Sequence, residues 1–86
     1  MTVRVTVKLY ASLSKYLPDV YRKSHAMPMD VSDETTIETI LEPFGMPPGS
    51  IKLVVVNGVF IPPSARATTR FIEGDVLAIW PPVAGG

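Results

Sequence analysis

The chain has 86 residues, 47% of them apolar and 19% charged, a globular composition that excludes wholesale disorder and fits one domain burying about 60 to 65% of its unfolded surface. Eight Lys and Arg balance eight Asp and Glu, and the basic residues are scattered along the chain, so no electrostatic footprint for nucleic acid is present. Cysteine is absent, which excludes disulfides and thiolate metal sites; no apolar run reaches membrane-spanning length and MTVRVTVKLY lacks a signal-peptide core, so no membrane association and a cytoplasmic location are expected.

Residues 2–10 alternate with period two, placing Val3, Val5, Val7 and Leu9 on one face and Arg4, Thr6, Lys8 and Tyr10 on the other, which predicts a half-buried strand. ASLSKYLPD predicts a short helical turn or loop closed at Pro18, and VYRKSHAMPMDV a second, weaker strand ending near Val31. In SDETTIETILEPFG, Ile37, Ile40, Leu41 and Phe44 form one helical stripe. Thr35 with Glu38 has capping-box spacing, with Thr36 as the alternative N-cap, and Asp33, Glu34 and Glu38 suit the positive end of the helix dipole. Pro43 ends the regular helix near Glu42, and Gly45 offers a left-handed exit, giving two to three turns in all.

IKLVVV is a continuous run suited to the middle of a sheet, and Asn57-Gly58 is a strong hairpin signal because both central turn positions need positive φ. VFI is then a short return strand. Pro62 and Pro63 stop ladder donation and make PPSARATTRFIEGD a connecting loop. VLAIW is the last strand, ended by Pro81-Pro82, with Leu77 and Ile79 on the core face and Trp80 opposite. The order is α+β, with one main helix packed across one face of a mixed sheet of four to five strands.

That order resembles the β-grasp, or ubiquitin-like, fold. VNG at 56–58, EGDVLAIW at 73–80 and PPVAGG at 81–86 resemble the MoaD/ThiS-type sulfur carriers, and of these the MoaD type, the small subunit of molybdopterin synthase, fits best. The resemblance is sharp over residues 53–58 and 71–86. It is loose over 18–33, where the second segment is long, and over the loop 62–70. It implies a β-grasp domain at 1–80 and a flexible diglycine tail at 81–86. The implied chemistry is adenylation of the Gly86 carboxylate by a ubiquitin-activating-like enzyme that uses ATP, conversion to a thiocarboxylate, and sulfur donation to a large molybdopterin-synthase subunit or an analogous acceptor for the pterin cofactor of molybdenum or tungsten. The chain itself would bind no cofactor or metal and would not be an enzyme.

The tail residues suit this role physically. Gly85 and Gly86 lack a Cβ that would block a narrow channel, Pro81 and Pro82 stiffen the base, and with Val83 and Ala84 the six extended residues reach about 20 Å. Tyr10, Phe60 and Trp80 match the positions where MoaD-type proteins carry an apolar docking patch; the alternative is that segment 18–30 covers them as ordinary core. Other acceptors (thiamin thiazole or cysteine synthesis), a ubiquitin-like protein modifier joined through Gly86, and a plain interaction domain remain open. His25 reads as a solvated loop residue, Asp75 as a turn residue, and Met27, Met29 and Met46 as packing.

Overall fold

The structure is a computed structural model that describes residues 1–47 and 49–82. Five strands form one sheet: β1 (Thr2–Leu9), β2 (Ala26–Ser32), β3 (Leu53–Val56), β4 (Val59–Phe60) and β5 (Asp75–Trp80), in the order β2-β1-β5-β3-β4. The first and last strands run parallel at the centre, while β2 and β3 flank them antiparallel. Apart from β1 and β5, all pairings join antiparallel neighbours, and the parallel pair is bridged by everything between. This is the β-grasp expected from the sequence.

The core lies on one face only. Val5, Val7 and Leu9 of β1 and Leu77 and Ile79 of β5 are fully buried, as their alternation requires. They meet Ile37, Ile40 and Leu41 of the helix across the sheet. Leu13 and Leu17, from a 3-10 helix at Ala11–Tyr16 and the residue after it, close one end, and Phe71 closes another from the long loop.

Two expectations need correction. The segment assigned to a strand from Val20 begins instead as one helical turn, α1 (Asp19–Arg22), and the strand starts only at Ala26. Pro18 supplies the start and Asp19 pairs with Arg22 one turn on (2.6 Å), while the Arg22 guanidinium donates to Leu17 O and Lys15 O. The main helix is also shorter than two to three α-turns. Regular α2 covers Ile37–Leu41 and tightens into a 3-10 turn at Glu42–Phe44, with Gly45 left-handed at φ 66°. Pro43 forces this change, because it carries no N–H and disfavours α geometry before it.

Thr36 is the N-cap, its Oγ1 accepting from Thr39 N–H. The two preceding orphan donors, Ile37 N–H and Glu38 N–H, reach Thr69 O and Arg66 O of the proline loop (3.1 and 3.0 Å). A five-residue helix is far too short to stand alone; this one is held by its buried stripe and by that loop.

Candidate functional site

The face of the sheet away from the helix carries the candidate site. Register places Lys8, Ala78, Val55 and Phe60 in one row across β1, β5, β3 and β4. The next row toward the strand ends holds Trp80 and Leu53, with Tyr10 beside Trp80 through its N–H to Ile79 O. All three aromatics predicted for a docking patch therefore share this outer face. Phe60, 54% exposed, lies on the edge strand with β3 between it and β5, so it extends the apolar strip without joining the rings.

Tyr10 and Trp80 stack with ring centres 4.6 Å apart and planes 12° from parallel. His25 stacks on Tyr10 as well, at 5.7 Å and 23°. His25 is thus half-buried and structural, a correction to its reading as a solvated loop residue. Its backbone sits in the left-handed region at φ 58°, its carbonyl accepts from Leu9 N–H (3.0 Å) and its ring Nδ1–H donates to Leu9 O (3.2 Å). A non-glycine residue in this conformation costs about 1 to 2 kcal/mol. Ala11, next to Tyr10, is also left-handed at φ 51°. Of the three non-glycine residues with positive φ among the described residues, two therefore flank the stack and the third, Asn57, sits in the turn at the far end. No sequence signal marks Ala11 for positive φ, since it is not Gly, Asn, Asp or His.

Segment 18–30 leaves the stack half-exposed: its contribution to the rings is His25 on Tyr10. The outer face also includes Leu53 and Val55, which an uninterrupted LVVV run conceals. Counting back from the Asn57-Gly58 turn pairs Val55 with Phe60 and would have put them together.

β5 delivers the chain to this site. Its last ladder bond at this end is Lys52 N–H to Trp80 O (2.9 Å); Pro81 and Pro82 then offer no donor, so the strand stops where expected. The proline pair lies between two depressions. One, of about 600 Å³, runs between Ala11-Ser12 and Lys52-Leu53 with Trp80 in its wall. The other, about 230 Å³, is bounded by Leu13, Lys15, Tyr16 and Ser50. Val83, Ala84, Gly85 and Gly86 lie outside the described residues.

At the opposite end of β5, Asp75 is buried rather than a simple turn residue, correcting that expectation. Its Oδ1 accepts from Asn57 Nδ2 (2.8 Å) and its Oδ2 from Ile72 N–H (2.9 Å), while Asn57 Oδ1 accepts from Val76 N–H (2.9 Å). These bonds fasten the hairpin and the long loop to the central strand. Among the described residues no cluster of three or more His, Asp or Glu is placed to hold a metal ion, and no helix is long and apolar enough to cross a membrane.

No curated protein matches the chain in sequence. Several solved structures share its fold. The HVO 2177 protein of Haloferax volcanii superposes with a TM-score of 0.70 at 22% identity, over 99% of this chain and 88% of that one. Small archaeal modifier protein 1 of Methanosarcina acetivorans gives 0.67 at 23%, over 100% and 99%. A chain of the Helicobacter pylori complex of subunits 1 and 2 of molybdopterin-converting factor gives 0.57 at 17%, over 98% and 100%. The β-grasp of this chain is thus the fold of both small modifiers and molybdopterin-converting-factor proteins. Its ubiquitin-like order of elements agrees with a family model that matches residues 2–84: the chain belongs to the Mut7-C ubiquitin family.

Proposed function

We propose that this protein is a sulfur carrier whose Gly86 carboxylate is activated and loaded by partner enzymes, with the β-grasp body serving as the docking handle. The observation that carries this proposal is the placement of the tail base: a central strand ends at Pro81-Pro82 directly beside a ring stack on the uncovered sheet face. The fold likeness to a molybdopterin-converting-factor complex supports a large synthase subunit as the acceptor.

In the proposed sequence an adenylating enzyme joins the Gly86 carboxylate to AMP and releases pyrophosphate from ATP. A sulfide-level donor then attacks the acyl carbon, AMP leaves, and a thiocarboxylate remains. Transfer of that sulfur to the acceptor, with water replacing it, restores the carboxylate. The chain contributes the acyl group and two residues without side-chain bulk beside it; the partners hold the ATP and the catalytic groups, and cytoplasmic partners are the natural setting.

The test is intact-mass spectrometry after incubation with ATP, the cognate adenylating enzyme and a sulfide donor. The expected result is the mass gain of one oxygen-to-sulfur exchange, located on Gly86 by fragmentation. An unchanged mass, with the enzyme shown active on another carrier, rejects the proposal. A second reading, protein modification through Gly86, draws on the likeness to small archaeal modifier protein 1. It predicts a ladder of conjugates in cell extract that vanishes when Gly85 and Gly86 are deleted.

A further inference from the structure

The ring stack is bordered by ammonium groups that the three charge pairs among the described residues do not use. Lys8 stands on the outer face in the row next to Tyr10, paired in register with Ala78. Lys52 lines the larger depression and is tied by its backbone to Trp80. Lys15 lines the smaller one across the proline pair, its Nζ lying 5.4 Å from the Tyr16 ring centre. Among the described residues the ion pairs are Met1 with Asp33, Arg4 with Asp30 and Arg22 with Asp19, so none of these three lysines is neutralised by a carboxylate.

The acids lie elsewhere. Asp33 is bonded to the N-terminal end of the chain, and Glu38 and Glu42 belong to α2 and the turn after it, in the layer that covers the other face. Glu73 accepts from Arg4 N–H, near the start of β1 (2.9 Å). On the outer face, Asp30 sits two rows beyond Lys8 and is gripped by the Arg4 guanidinium through two bonds (2.9 and 3.0 Å), whose hydrogen bonding holds its carboxyl below the usual aspartate range. A chain of zero formal net charge therefore carries a local positive excess around one apolar site.

We propose that the Tyr10–Trp80 face docks a partner protein whose contact surface is apolar at its centre and carboxylate-bearing at its rim. This rests on the docking role proposed above and names the chemistry of the partner. Lys8, in the row beside the rings, and Lys52, in the wall of the larger depression, hold positions from which a lysine stem can cover apolar surface while its charge stays in water, and Lys15 adds a third charge across the proline pair. Rim charges of this kind steer encounter and fix orientation more than they add affinity, so the interaction is salt-sensitive in its association rate. A basic or uncharged partner surface finds the same rings but loses the steering.

Two measurements on the full chain test this. Trp80 is the sole tryptophan and is half-exposed, so its fluorescence reports local potential through quenching by iodide and by caesium. At low salt iodide is expected to quench about threefold more effectively than caesium once their intrinsic efficiencies on free tryptophan are divided out. The preference should disappear in the Lys8→Glu/Lys52→Glu double variant, and Lys52→Glu alone, at an exposed position, gives the same direction if the double variant does not fold. Equal quenching in the native chain overturns the proposal. Next, a synthetic peptide of Leu and Phe flanked by glutamates is titrated against its lysine-for-glutamate counterpart. The acidic peptide should shift the NMR signals of Tyr10, Leu53 and Trp80, and bind at least about tenfold tighter at low salt than the basic one. Equal binding of the two, or binding of neither, overturns the proposal. Both assays run without acyl activation, so their failure leaves the Gly86 chemistry standing, and a failed mass shift leaves the charge assignment standing.

Discussion

Asp75 and Asn57 show how one polar pair organises two loops. The carboxylate spends one oxygen on Asn57 and the other on Ile72 N–H, and Asn57 returns its own oxygen to Val76 N–H. Asp75 is 6% exposed, and removing it takes the acceptor away from two donors, Asn57 Nδ2 and Ile72 N–H, at partly buried bonds. Each such donor carries a desolvation penalty of about 1 to 3 kcal/mol. Asp75→Ala should therefore lower unfolding stability by about 2 to 3 kcal/mol, and Asn57→Ala by about as much, because Ala at φ 50° adds left-handed strain to the two lost side-chain bonds. Urea denaturation of both singles and the double should show a coupling energy of about 1 kcal/mol. Strict additivity would mean that the bond between them contributes nothing. The Asn57-Gly58 turn was legible from the dipeptide alone, since Asn57 at φ 50° and Gly58 at φ 84° take the two left-handed positions that it announces. Asp75 was not, because Asn57 lies 18 residues upstream and Ile72, three residues before it, belongs to a loop with no periodic pattern.

Among the elements, the central strands were the easiest to read and α2 the hardest to bound. β1 and β5 have one buried face and one open face, so their side chains alternate and their registers follow. β2 is an edge strand that contains Pro28 and buries none of its residues fully; its pattern is weak for that reason, and the helical turn before it was lost in the same stretch. In α2 the capping choice turned on tertiary context. The donors a Thr35 cap would accept, Ile37 N–H and Glu38 N–H, are already committed to Thr69 O and Arg66 O, and Thr36 receives Thr39 N–H instead. Thr36→Ala should cost about 1 kcal/mol, measured as a fall in the urea midpoint with an unchanged slope. Thr35→Ala should cost well under half of that. The reverse ranking would return the cap to Thr35 and contradict the observed geometry.

For the whole molecule, the β-grasp separates the residues that hold it together from those on the open face, to which the proposed docking is assigned. Helix, long loop and 3-10 turn all cover one face, and the outer face keeps Tyr10, Leu53, Val55, Phe60 and Trp80 in an open strip beside the exit of the chain. If that strip is retained for docking, stability and transfer should respond to different substitutions. Leu77→Ala, on the buried side of β5, should cost about 2 to 5 kcal/mol of stability. Phe60→Ala, at 54% exposure, should cost less than about 1 kcal/mol, yet under the proposed carrier function slow sulfur transfer to the acceptor on the order of tenfold, the weight of one interface anchor. Thermal melts and single-turnover transfer on the two variants measure both quantities. Should Phe60→Ala melt early while transferring at the native rate, the outer strip is a structural surface and the handle lies elsewhere on the molecule. Should it melt normally and transfer slowly, stability and docking belong to opposite faces of one sheet, as the proposed carrier function requires.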